Sequence, residues 1–228
     1  MARYSPEHKD ETRRRMVEAA VTTFRRDGVS AAGLKQIMEE LGQTVGGFYR
    51  HFPSKSDLVQ AAVEHGVQQS LDTMRMIPED DQFPWTERFT AGYLSSAHCQ
   101  ELANGCVFAA LASDIARGDS RVKQSCEAGL QQLWAELGRH LPANGALPVE
   151  ELWGLVALEI GGLLLSRMVE SAETSAEILA SCRRTARRVL GSKRQNKNER
   201  VSVGPRHKAA SNKQTRGKLS SVSKSRKT

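Results

Sequence analysis

Between residues 44 and 55 the sequence gathers side chains that donate hydrogen bonds. Arg50 and His51 lie in a short segment that also exposes Thr44, Gly47 and Tyr49, and Lys55 follows closely. Such donors suit phosphate oxygens and the edges of bases, so the chemistry on offer is recognition of nucleic acid. A second reactive set is the four cysteines, Cys99, Cys106, Cys126 and Cys182, separated by 7, 20 and 56 residues. They form no Cys-x-x-Cys pair and read as reduced thiols. Cys99 beside His98 points only faintly to metal, because four ligands cannot be assembled from this spacing, and no metal is expected. Cys106, in Asn104-Gly105-Cys106-Val107-Phe108, falls at the expected start of a helix, where free N–H groups favour a thiolate. A small buried apolar side chain is the alternative reading of that residue. Catalysis finds little support: there is no Gly-x-Ser-x-Gly, phosphate-binding loop, His-Glu-x-x-His or paired-carboxylate spacing. No enzyme and no cofactor are expected.

Positioning these groups falls to helices. Up to residue 190 almost every segment repeats its apolar residues at steps of three and four, and none alternates as a half-buried strand does. An all-α protein of about nine helices is predicted. Ser5-Pro6 reads as an N-cap followed by proline at the first helical position; Met16, Ala20 and Phe24, with Val17 and Ala19 alongside, then share a face until Asp27-Gly28 stops the helix. A second helix, about Ala31 to Leu41, buries Leu34, Ile37, Met38 and Leu41 and ends at Gly42. Thr44 caps a third, Val45 to about Phe52, which Pro53 terminates. Ser54-Lys55-Ser56-Asp57 has capping-box spacing and opens a fourth helix reaching about Met76. After a proline-containing acidic linker at 78–84, helices are predicted near 85–99, 105–117, 120–141, 149–170 and 172–190. Two short helices joined at a glycine and packed on a longer one form a helix-turn-helix, whose second helix fits the major groove. A plain helical hairpin shares this periodicity; the donors on the third helix favour the DNA-binding reading.

Across 228 residues, 33 Lys or Arg stand against 26 Asp or Glu, a formal charge of +7. The excess is uneven. Residues 1–58 hold 10 basic and 8 acidic side chains, residues 59–190 hold 11 and 17, and residues 191–228 hold 12 and 1. The first 190 residues suffice for one good core, or for a small domain docked on a larger one. The remainder is expected to be a basic disordered tail, either attracting DNA phosphate without reading sequence or merely solvated. The richest apolar run, Leu152 to Ser166, is interrupted by Glu159 and stopped by Arg167, so no membrane span or membrane partner is expected. Met1 to Glu7 lacks the apolar core of a secretory signal, and a cytoplasmic protein is expected.

The run from Thr44 to Leu58, together with Met16 to Gly28 and Leu34 to Gly42, resembles the DNA-binding domain of TetR/AcrR-type transcriptional regulators. The likeness is close over residues 12–58 and holds in outline beyond them. It implies a helix-turn-helix DNA-binding domain over 1–58, an effector-binding and dimerisation domain over 59–190, and a homodimer on a palindromic operator in double-stranded DNA. By the same resemblance Tyr49 and Lys55 match positions that contact the phosphate backbone. Thr44, Val45, Gly47 and His51 match the exposed face of the recognition helix, and Lys35 a position on the preceding helix that reaches the groove floor. Phe48 and Phe52 match buried positions. Gly46-Gly47 departs from helix preference by about 1 kcal/mol per glycine relative to Ala. The segment around Cys106 is similar to a Gly-Cys segment in a subset of these regulators, some responding to electrophiles or oxidants. The implied function is a sequence-specific repressor released by a small-molecule or thiol-reactive effector. The alternative is an architectural DNA-binding protein driven by the basic tail.

Beyond residue 148 the helix at 149–170 is apolar nearly all round, with Leu152, Val156 and Leu163 on one side and Trp153, Ile160 and Leu164 on another. Such a helix needs two burial partners: its own core and, by expectation, the same helix of a second subunit. Full burial within a monomer is the alternative. The last helix carries Ile178, Cys182, Ala186, Val189 and Leu190 on one stripe. Trp153, Val156, Ile160, Leu164, Cys182, Ala186 and Val189 are therefore the expected dimer interface. Cys106, Tyr93, His98, Phe108, Trp134 and Trp153 are the candidates for an effector cavity, with plain core as the alternative.

Overall fold

In the computed structural model, which describes residues 6–79, 83–141 and 149–201, every regular element is a helix. Helix α1 (Pro6–Asp27) starts on the expected proline, while the expected cap Ser5 lies outside the described residues. Met16, Ala20 and Phe24 are fully buried at steps of four. Gly28 ends the helix at φ +80°, its N–H bonded to the Phe24 carbonyl at 2.8 Å. Helix α2 (Leu34–Glu40) buries Ile37 and Met38. Helix α3 spans Val45–Phe48, shorter than the expected run to Phe52. The next turn tightens into three-residue steps, Arg50 N–H to Gly47 O at 3.2 Å and His51 N–H to Phe48 O at 2.9 Å, before Pro53.

Helix α4 (Lys55–Arg75) begins where Ser54 Oγ accepts the Asp57 N–H at 3.2 Å. The Asp57 carboxylate accepts the Ser54 hydroxyl at 2.6 Å, in place of the expected reach to the cap N–H. The helix expected at 85–99 is two, α5 (Trp85–Tyr93) and α6 (Ser96–Gln100). At the break the carbonyl of fully buried Leu94 accepts a hydrogen bond from the distant Arg183, and Ser95 Oγ caps a new start on the His98 N–H at 3.1 Å. Helices α7 (Val107–Arg117), α8 (Ser120–Arg139), α9 (Val149–Arg167) and α10 (Ala172–Val201) complete ten among the described residues, not nine. The last runs on past Leu190, where the sequence suggested a disordered tail. Lys193, Arg194, Gln195 and Lys197 are good helix formers, and no proline intervenes before Pro205. Residues 202–228, the rest of that expected tail, lie outside the described residues.

One core runs across the expected boundary at residue 58. Met16, Phe24, Ile37, Phe48 and Phe52 belong to the same buried cluster as Val63, Val67, Val107, Phe108 and Leu163. Helix α4 serves both halves, burying Leu58 and Ala62 at one end and Leu71 and Met74 at the other. Contact here is close: a Cβ on Gly66 would lie 2.9 Å from Val107 Cβ and 3.0 Å from Arg25 Nη2. A second cluster joins Met74, Trp85, Leu137, Leu152, Leu155 and Ala186.

Candidate functional site

Phe48 anchors α3 by stacking on Phe52 at 5.7 Å between ring centroids, and Arg13 of α1 lies over the Phe52 ring at 4.5 Å. With Phe48 turned inward, Thr44, Val45, Gly46, Tyr49 and Arg50 are exposed. Thr44 has a local task as well, because its Oγ1 accepts the Gly47 N–H at 3.2 Å and caps the helix. Gly47 is open: a Cβ would meet only Gln43 Oε1 at 3.6 Å and Thr44 Oγ1 at 3.7 Å. Lys35 is exposed and pairs loosely with Glu39 at 3.6 Å. His51 is half-buried; burial, then the nearby charges of Lys9, Arg13, Arg50 and His8, pushes its pKa below the ordinary imidazole value. That list also describes a basic patch beside α3.

Lys55 is engaged within the fold. Its Nζ donates to the carbonyls of Val29 and Ala32, each at 2.6 Å, and it clips the start of α4 to the turn between α1 and α2. Lys55 therefore has an internal clamping role beside the expected phosphate contact, with two of its three N–H donors already used.

The second feature is a cavity of about 650 Å³. Of the six residues expected to line it, Tyr93, His98, Cys106 and Phe108 do so. Trp134 and Trp153 do not: their rings stack on each other at 6.5 Å, Trp134 packs on the second core cluster, and Trp153 edges a separate shallow depression. His98 is pinned in one tautomer, Nδ1–H donating to Tyr93 O at 2.7 Å and Nε2 accepting the Cys106 N–H at 3.1 Å. Cys106 is therefore the N-cap of α7, buried against the cavity wall. Arg167 of α9 closes the short α6 by donating to His98 O at 2.8 Å and Cys99 O at 3.0 Å. The four cysteines are free, and no group of potential metal ligands occurs among the described residues.

Sequence reading missed two charged cavity residues. Arg25 follows Val17 and Val21 by steps of four, a row that is buried throughout, yet a charge near a helix end reads as solvated. Glu159 shares the buried row of Leu152, Leu155, Leu163 and Ser166. Its Oε1 accepts the Thr90 hydroxyl at 2.9 Å, but burial outweighs that bond and raises its pKa to about 8. The folded chain therefore holds a proton that the unfolded chain loses near pH 4.5, so this group's contribution to stability falls as pH rises from about 4.5 to about 8. Glu159→Gln should remove that slope: the variant matches the parent near pH 5 and exceeds it near pH 8 in urea midpoint, roughly spanning the titration. Parallel slopes in parent and variant would contradict the assignment.

The expected dimer residues divide. Trp153 and Leu164 are exposed, at 39% and 36%. Val156 and Ile160 instead line the cavity, Ala186 is fully buried and Val189 packs in the second cluster. Cys182 sits against Gly162, where an added Cβ would lie 2.7 Å from its Sγ. Within the chain, then, Val156 and Ile160 of α9 turn to the cavity, whereas Cys182, Ala186 and Val189 lie on α10, which packs along α9. The open face of α9 continues Trp153 and Leu164 through Leu165, and exposed Met168 follows just past its end.

Residues 16–62 match the family described as bacterial regulatory proteins, tetR family. HTH-type transcriptional regulator TtgR of Pseudomonas putida is 41% identical over 64 residues, 28% of this chain and 30% of that relative. YfiR of Bacillus subtilis, named an uncharacterized HTH-type transcriptional regulator, is 35% identical over 65 residues, so the chain spans only 32% of its length. A longer match, 28% identical over 169 residues, joins 69% of this chain to 86% of YxaF of Bacillus subtilis, also named an uncharacterized HTH-type transcriptional regulator. Among solved structures, reduced NemR of E. coli superposes with a TM-score of 0.63 at 18% identity, over 77% of this chain and 95% of that one. A TetR transcriptional regulator from Legionella pneumophila gives 0.62 at 20% identity, over 82% and 97%. These structures share the fold.

Proposed function

We propose that this chain, which belongs to the TetR family of bacterial regulatory proteins, is a homodimeric repressor that grips a palindromic operator through α3 and leaves it when an effector fills the cavity. The observation that carries the reading is α3 itself, with Phe48 buried, Thr44, Val45 and Tyr49 outward and a basic patch beside them. Tyr49 and Arg50 serve the phosphates, while Lys35, Thr44, Val45, Gly47 and His51 face the bases. The apolar stripe of Trp153, Leu164, Leu165 and Met168 supports pairing of two chains through α9, with Gly161 offering open space for close approach.

Helix α4 links the two functions. Gln69, Ser70 and Thr73 face the cavity, while at its start Asp57 accepts Arg121 of α8 at 2.6 Å and Ser56 donates to Asp119. A ligand that prefers one separation of α4 and α8 tilts α4, and α3 moves with it. Among the described residues no helix is long and apolar enough to cross a membrane.

Competition of inverted-repeat DNA from the chain's own upstream region against random DNA, at two salt concentrations, tests the reading. A strong preference for the repeat that persists at higher salt supports it; equal affinities with a steep salt slope favour the architectural alternative. Thr44 gives a finer check. Thr44→Ala removes the cap of α3, worth about 1 kcal/mol, and should weaken binding to all DNA, whereas Thr44→Ser keeps the cap and should shift only the preference among operator variants. A uniform loss from Thr44→Ser, read by fluorescence anisotropy, would remove Thr44 from the base-reading set.

A further inference from the structure

Arg25 is a buried cation for which the fold supplies no anion. It is 5% exposed and lines the cavity. Its guanidinium donates to Gln69 Oε1 at 2.8 Å and, at 3.5 Å, to the carbonyls of Ala103 and Gly66, while Nε has no hydrogen-bond partner. No ion pair to Arg25 occurs among the described residues, and neither acidic side chain lining the same cavity serves as its partner. Asp72 is engaged at the rim by Gln68 at 2.7 Å and Arg75 at 3.4 Å. Glu159 keeps its proton at neutral pH, for the reason given above. Burial lowers the Arg25 pKa, yet a guanidinium remains charged at any physiological pH. The Cys106 thiol is the titratable group that acts on Arg25 from nearby, and amide and carbonyl partners leave the guanidinium without a carboxylate to balance it. Apolar side chains, Phe89, Leu137 and Ile160 among them, form much of the wall, and Gln69, Ser70, Thr73, Arg88, His98 and Asn104 give it polar stretches.

We infer that the ligand of this cavity is an apolar organic acid, its carboxylate seated on Arg25 and its hydrocarbon body against Phe89, Leu137 and Ile160. This rests on the reading of the cavity as the effector site and names the chemistry that site selects. A carboxylate matches the planar guanidinium and supplies the missing countercharge. Position adds a consequence. Arg25 belongs to α1, whose Met16, Ala20 and Phe24 share the core with Ile37 of α2 and Phe48 of α3. The carboxylate is therefore held from α1 of the DNA-binding half, and its arrival competes with the bonds that tie Arg25 to Gly66 of α4 and to Ala103.

Calorimetric titration of the full chain with decanoate, decanol and decyltrimethylammonium tests this. Decanoate should bind about ten- to a hundredfold more tightly than decanol, as a charged hydrogen bond predicts, and the cationic amphiphile should not bind. Arg25→Met should bind acid and alcohol equally, with decanol affinity unchanged, and should melt above the parent because it removes a buried unpaired charge. Equal affinity for acid and alcohol in the parent, or no binding of either, overturns the inference. So does an acid preference that survives in Arg25→Met. Should that variant not fold, the acid and alcohol affinities of the parent decide alone. The titration contains no DNA, so its failure leaves the DNA-binding assignment untouched, and a failure of operator binding leaves the titration unaffected.

Discussion

Phe24→Ala should lower the unfolding free energy by about 3–5 kcal/mol and should do so for the whole chain at once. Phe24 is fully buried in the cluster that joins α1, α2 and α3 to α7, α8 and α9, and Lys55 Nζ lies 5.9 Å from its ring centre. A loss of that size is a large part of the roughly 5–15 kcal/mol that holds a typical protein folded. Two probes separate a shared core from two independent ones. Circular dichroism reads every helix, whereas tryptophan fluorescence reads only Trp85, Trp134 and Trp153, all far along the chain from Phe24. Both urea midpoints should fall together. A tryptophan midpoint that stays put while part of the helical signal melts early would show that the N-terminal helices unfold by themselves.

Gly47→Glu should leave the fold intact and reduce affinity for the operator by about a hundredfold or more. The new Cβ meets nothing closer than Gln43 Oε1 at 3.6 Å, and replacing a helical glycine favours α3 by roughly 0.5–1 kcal/mol. Its carboxylate, however, would stand on the outward face of α3 and repel phosphate and base-edge acceptors alike. Gly47→Ala is the control, with a small effect expected. Anisotropy titrations beside melting curves separate the cases: an affinity lost with no change in melting supports contact between α3 and DNA, and an unchanged affinity removes α3 from the interface.

The helix-turn-helix was legible because its signals are local. Gly28 and Gly42 at φ +80° and +65°, the caps Thr44 and Ser54, and Pro53 each act within a few residues, and together they set α1 to α4 within a few positions. The clamping role of Lys55 was not legible because its carbonyl partners, Val29 and Ala32, lie 26 and 23 residues away, and a sequence shows the charge without showing what it meets. Helix α9 posed a different problem. A helix apolar on every side does not say which face meets α10, which the cavity and which is open, so Val156 and Ile160 went to the dimer and Leu165 and Met168 were overlooked. The cavity was half visible: Tyr93, His98, Cys106 and Phe108 stand out by residue type, whereas Arg25 and Glu159 reveal themselves only by lying on buried rows.

Modification of DNA by dimethyl sulfate probes the groove claim most directly, since guanine N7 lies in the major groove and adenine N3 in the minor. With the full chain bound to its inverted repeat, guanines in both half-sites should be shielded at N7 while adenines remain reactive at N3. Shielding confined to adenine N3, or no shielding at either atom in a complex that still forms, would contradict insertion of α3 into the major groove.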